Sequence, residues 1–99
     1  MATRNKMRPV HPGEVLQDEI EALEMSASAF AAALDVPANR ITSVLNGERA
    51  ITADTALRLS RYMGTSAEFW LNLQKIYELR LAEIESGAII KRAVKPRAA

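Results

Sequence analysis

The chain has 99 residues and a formal net charge of +1, with 48% apolar and 25% charged residues. That balance fits one globular domain, expected over 1–99 with flexible ends at 1–8 and about 88–99, and argues against disorder. The absence of cysteine excludes disulfides and thiolate metal sites. No stretch approaches the ~18 apolar residues of a membrane span, and MATRNKMRPVHPGE lacks the apolar core of a signal peptide. A cytoplasmic location with no membrane partner is the expectation. Arg4, Lys6 and Arg8 cluster at one end and Lys91, Arg92, Lys95 and Arg97 at the other, while Glu14, Asp18, Glu19, Glu21 and Glu24 form an acidic block. Such segregation suits two different partners, and equally a solvated acidic helix face between basic tails.

No strand alternation or internal repeat is visible, and five helices punctuate the chain. The first starts at Pro12, suited to position N1, and carries Leu16, Ile20 and Leu23 at helical spacing. The second opens after the N-cap Ser26 and runs to about Leu34, with Phe30 and Leu34 at i, i+4. Asp35-Val36 makes a tight connection, and Pro37 at N1 starts a third helix that stops at Gly47. Thr52 caps the fourth, which stops at Gly64. The fifth carries a capping box, Thr65-Ser66-Ala67-Glu68, with Thr65 as cap and Glu68 at N3, and is expected to run to about Glu85 and end at Gly87. Short connectors between helices predict an all-α bundle.

The second helix, tight turn and third helix have the layout of a helix-turn-helix. On a helical wheel, Ile41, Val44 and Leu45 define the buried side of the third helix. Asn39, Ser43 and Asn46 point the other way, with Arg40 and Thr42 on the flanks and Ala38 in the first turn. This outward set has no acid and matches the side chains that read base edges: Asn for adenine, Arg for guanine, Ser or Thr for either, and an Ala methyl against thymine. Ser26 at the helix N-terminus and Arg49 past the third helix suit phosphate contacts, and Ser28 joins the DNA-binding set.

From Met25 to Glu48, MSASAFAAALDVPANRITSVLNGE resembles the helix-turn-helix of the Cro/repressor (XRE) superfamily. MRPVHPGEVL, followed by RITSVLNGERAITADTALRLSRYMGTSAEFWLNLQKIYELR, resembles the HigA (VapI-type) antitoxins over about residues 7–84. The resemblance implies a five-helix lambda-repressor-like domain with a long C-terminal helix. It also implies a homodimer that binds a palindromic operator in its own promoter and neutralises a small basic HigB-like ribonuclease toxin. Two positions depart from the superfamily pattern: Ala38 stands where an amide side chain is common, and Asp35 where the turn usually has Gly. A stand-alone XRE repressor and a protein-interaction module without DNA binding are the alternatives.

No catalytic site, cofactor site or metal site is expected. The chain has one His and none of the nucleophile, phosphate-loop or zinc-helix motifs, and His11 before Pro12 suits a turn or cap. Glu14, Asp18 and Glu21 share one solvent-facing side of the first helix, a surface for a basic toxin. Trp70, Tyr77, Leu81 and Ile84 form a stripe on the fifth helix, the candidate dimer interface. Phe69, Leu73 and Ile76 are assigned to the domain core, with Trp70 at its edge.

Overall fold

A computed structural model describes residues 8–98. Arg4, Lys6, the rest of the expected flexible N-terminal segment up to residue 7, and Ala99 lie outside the described residues. Within them the chain is all-α: α1 (Pro12–Ala22), α2 (Ala27–Ala33), α3 (Ala38–Leu45), α4 (Ala53–Met63) and α5 (Ala67–Ala93).

Local chemistry explains most of the helix ends. Ser26, Thr52 and Ser66 are N-caps whose side chains accept the N–H of Ala29, Thr55 and Phe69. His11 caps α1 by accepting the Gly13 N–H on Nδ1 at 2.9 Å. Helices α1, α2 and α3 all close with Schellman motifs. In α2, the Val36 N–H reaches the Ala31 carbonyl at 3.0 Å and the Asp35 N–H reaches Ala32 at 3.1 Å. The C′ residues Glu24, Asp35 and Gly47 are accordingly left-handed, with φ of 58°, 60° and 77°. Only the last is a glycine, so α1 and α2 end under backbone strain of about 1 kcal/mol each.

The core gathers Leu16 and Ile20 of α1, Phe30 and Ala31 of α2, Ile41 and Val44 of α3, Ala56 and Leu59 of α4, and Trp70 of α5. Leu34 and Ile51 close it from the loops. The N-terminus of α1 lies against the C-terminal end of α3. Gly13 is buried there, and a Cβ on it would overlap the Val44 carbonyl oxygen. His11, also buried, stands edge-on to Tyr77 of α5 with ring centroids 4.8 Å apart. Gln74, a buried polar residue of α5, accepts the Ile51 N–H at 2.8 Å and donates to Glu78 at 2.9 Å.

Five sequence expectations are corrected. Pro37 is the N-cap of α3 rather than its first residue, because its backbone is still extended (φ −61°, ψ 149°). Ser66, not Thr65, caps α5, so Glu68 falls at N2, one residue short of the capping-box position. Thr65 instead accepts the indole N–H of Trp70 at 2.9 Å. That bond lets the indole bury completely without stranding its donor: Trp70 is 0% exposed, while Phe69 is 43% and Ile76 59% exposed. Trp70 is therefore core and leaves the candidate dimer stripe. Phe69 and Ile76 are surface, and of the three residues assigned to the core only Leu73 packs against it.

Finally, α5 does not stop at Gly87 but continues six residues to Ala93, so much of the expected loose C-terminal segment is helical. Gly87 is absent from the left-handed residues. A helical glycine costs only about 1 kcal/mol relative to alanine, and the good helix formers Ala88, Lys91 and Arg92 carry the helix past it. Lys91 and Arg92 in the last turn also suit the negative end of the macrodipole.

The contact at Gly13 gives a test of the fold. Gly13→Ala should lower stability by about 1–3 kcal/mol, the cost of overpacking a filled site, although alanine is the better helix former. Urea denaturation checks this, and an unchanged or raised midpoint would show that α1 does not seat on Val44.

Candidate nucleic-acid interface

Helix α2 positions α3 through the Schellman turn at Asp35 and the buried pair Phe30 and Ala31. Helix α3 turns Ile41 and Val44 fully inward, with Leu45 half-buried against the same core. This leaves Ala38, Asn39, Thr42 and Asn46 exposed, with Arg40 and Ser43 half-buried beside them. Asn39, Thr42, Ser43 and Asn46 follow one another at helical spacing, so they share a face, and none of them is an acid. The Thr42 hydroxyl donates back to the Asn39 carbonyl at 3.4 Å.

The expected phosphate contacts Ser26 and Arg49, and Ser28 of the expected DNA-binding set, are all exposed. Ser26 Oγ spends an acceptor lone pair on the Ala29 N–H at 3.0 Å. Its hydroxyl proton can still be donated to a phosphate oxygen. Arg49 follows Gly47 in the loop that leads to α4. Burial of the His11 ring pushes its pKa below the ordinary value, against the opposing charge of Glu14 and a hydrogen bond with the Arg49 backbone. A neutral His11 keeps Nδ1 able to accept from Gly13.

Arg40 does not stand alone. Its Nη1 donates to Asp54 Oδ2 at 2.7 Å, and Arg58 Nε donates to the same oxygen at 2.8 Å. Arg58 Nη1 also donates to the carbonyls of Leu34 and Asp35 at 2.9 and 3.2 Å. Hydrogen bonds from Arg58 and Arg40 hold the Asp54 carboxyl below its usual pKa. Asp54 and Arg58 carried no signal in the sequence analysis. They lie 14 and 18 residues from Arg40, beyond the reach of any local periodicity.

Glu14, Asp18 and Glu21 are exposed on α1. Glu14 is paired with Arg8 at 3.0 Å, which lowers its pKa chiefly through that hydrogen bond, and Glu21 accepts from Gln17 at 3.0 Å. On α5, Tyr77 and Leu81 are half-buried and Ile84 is 60% exposed. The distal helix also exposes Leu79, Ile89 and Ile90, which the predicted stripe did not include.

The helix-turn-helix family model matches residues 16–70, more than half of the chain. Virulence-associated protein I of Dichelobacter nodosus is 46% identical over 89 residues, covering 89% of this chain and 82% of that protein. An addiction module antidote protein of the HigA family from Coxiella burnetii superposes with a TM-score of 0.89 at 52% identity, over 91% of this chain and 99% of that one. The Pseudomonas aeruginosa antitoxin HigA, solved with the higBA promoter, superposes with a TM-score of 0.89 at 42% identity, over 92% and 100% of the two chains. The chain therefore belongs to the helix-turn-helix family, among the HigA-type antitoxins, and is not an enzyme.

Proposed function

We propose that this chain is the DNA-binding antitoxin of a toxin–antitoxin pair, a cytoplasmic homodimer that represses its own promoter and neutralises a small basic HigB-like ribonuclease. The observation that carries this reading is the exposed, acid-free face of α3, mounted on a helix-turn-helix like that of a relative solved with its promoter. Ala38, Asn39, Arg40, Thr42, Ser43 and Asn46 meet base edges in the major groove, while Ser26, Ser28 and Arg49 hold phosphates. Two such heads, about one DNA turn (~34 Å) apart, read a palindromic operator.

The apolar distal half of α5 supports the dimer. Leu81 and Ile84, with Tyr77 at the root, lie on the length of helix that projects beyond the domain core. The acidic face of α1, with Glu14, Asp18 and Glu21, favours encounter with a basic toxin.

A gel shift on DNA from the protein's own promoter tests the first part. Asn39→Ala and Arg40→Ala should each weaken binding by about 1–3 kcal/mol and relax base preference at one position. Arg49→Ala should instead weaken all sequences alike and flatten the salt dependence. Unaltered affinity in both α3 variants would sink the assignment of this face.

The solution mass of the free protein should be twice 10.9 kDa, and the double variant Leu81→Asp, Ile84→Asp should fall to 10.9 kDa without unfolding. A wild-type mass of one protomer at micromolar concentration would contradict the dimer. Charge reversal at Glu14, Asp18 and Glu21 should slow toxin association by about tenfold or more at low salt. Unchanged association kinetics would move the toxin to another surface.

A further inference from the structure

The Arg40–Asp54–Arg58 network joins three parts of the molecule that the core does not otherwise tie together at the surface. Arg40 is the third residue of α3, Asp54 the second of α4, and Arg58 follows Asp54 by one turn. Arg58 grips the two carbonyls of the α2–α3 turn, so its guanidinium is fixed to the element that sets the pitch of α3. Its Nε then fixes Asp54 Oδ2, and that oxygen receives Arg40 Nη1 at 2.7 Å. The order is thus turn, Arg58, Asp54, Arg40.

The stability of the fold does not explain this arrangement. Asp54 is 57% exposed in its side chain and Arg58 37%, and exposed ion pairs of this kind contribute little to folding. What the arrangement does is remove rotamer freedom from an arginine whose stem carries several rotatable bonds. With Nη1 committed to Asp54, the Nε and Nη2 edge of Arg40 is left to donate, in the first turn of the helix, where recognition helices meet bases. Planar two-point donation is what reads the O6 and N7 acceptors of guanine.

Resting on the reading of α3 as the DNA-contacting helix, we infer that Asp54 is a specificity-determining positioning residue. It holds Arg40 in a base-reading pose and is itself held by Arg58 against the α2–α3 turn. Asp54 touches no base. It acts through Arg40, so its removal changes which DNA is bound more than how tightly DNA as a whole is bound.

This separates two roles with opposite signs. An acid near a phosphate backbone that did nothing else would repel every sequence, and its removal would strengthen operator and scrambled DNA together. A positioning acid gives a different result: binding to the operator falls while binding to scrambled DNA rises or stays level.

The experiment compares wild type, Asp54→Asn and Asp54→Ala, each alone and combined with Arg40→Ala. Affinity for promoter DNA and for a scrambled duplex of equal length is measured at two salt concentrations, with thermal melts as a folding control. Asp54→Ala should reduce the ratio of operator to scrambled affinity by about five- to tenfold, the scale of one base contact. Asp54→Asn should lie between it and wild type, because the amide oxygen can still accept one hydrogen bond. In the Arg40→Ala background neither change should reduce the ratio further. An equal rise in both affinities would overturn the proposal, as would a loss of ratio that persists without Arg40. A wild-type protein that binds but does not distinguish promoter from scrambled DNA would remove the operator reading itself. A discriminating wild type with an unaltered ratio in the Asp54 variants would remove only the inference about Asp54.

Discussion

At Gly13 the first turn of α1 rests on the Val44 carbonyl so closely that no side chain fits between them. The same carbonyl accepts the Gly47 N–H that closes α3. One oxygen therefore marks both the end of α3 and the seat of the helix that supports it. His11 completes the junction: it caps α1 through Gly13 and stands edge-on to Tyr77 of α5. Three helices meet where a glycine permits contact and a buried neutral imidazole supplies the polar partner. The pose of α3 depends on this contact more than on any surface charge, because buried interactions tolerate so little displacement.

The other end of α3 is set differently. Its N-cap Pro37 has no side-chain hydrogen bond to offer, so the start of the helix relies on the preceding turn. That turn is strained at Asp35, in a conformation glycine would adopt without steric cost, and Arg58 of α4 donates to its carbonyls. Asp35 and Arg58 together define a turn that neither would hold as firmly alone. The C-terminal end of α3 is thus anchored by close packing and the N-terminal end by directed hydrogen bonds. The side chains proposed to contact bases include Asn39 and Arg40 beside the second anchor, where a change of one residue can re-aim a side chain without disturbing the core.

Much of this was legible in the sequence because local chemistry decides it. Ser26, Thr52, Gly47 and Gly64 mark helix boundaries through hydrogen bonds or backbone angles that depend on a few adjacent residues. The apolar period of α3 placed Ile41 and Val44 inside and the polar set outside, as observed. Where the sequence reading failed, the deciding partner lay on another face or another element. Phe69 and Trp70 are adjacent and both apolar, so periodicity alone cannot say which turns inward. The indole N–H needs an acceptor when buried and finds Thr65, and that requirement places Trp70 inside. Likewise the Arg40 side chain is directed by Asp54 and Arg58, and Gln74 is buried because it satisfies the Ile51 N–H, both at long sequence separation.

Helix α5 spans 27 residues, but its buried residues, Trp70 and Gln74, both lie within its first three turns. Those two side chains bolt its root to Thr65 and to the loop before α4. Beyond the root, an α-helix of this kind has little stability of its own in water, and Gly87 weakens it further. The exposed Leu79, Ile84, Ile89 and Ile90 are the groups whose burial could offset that weakness. If a second protomer covers them, the rigid root transmits the pairing directly to the DNA-contacting heads. The angle at which α5 leaves Trp70 would then set the distance between the two copies of α3. On that geometry, operator spacing is determined by a hydrogen-bonded indole in the core, far from any residue that contacts DNA.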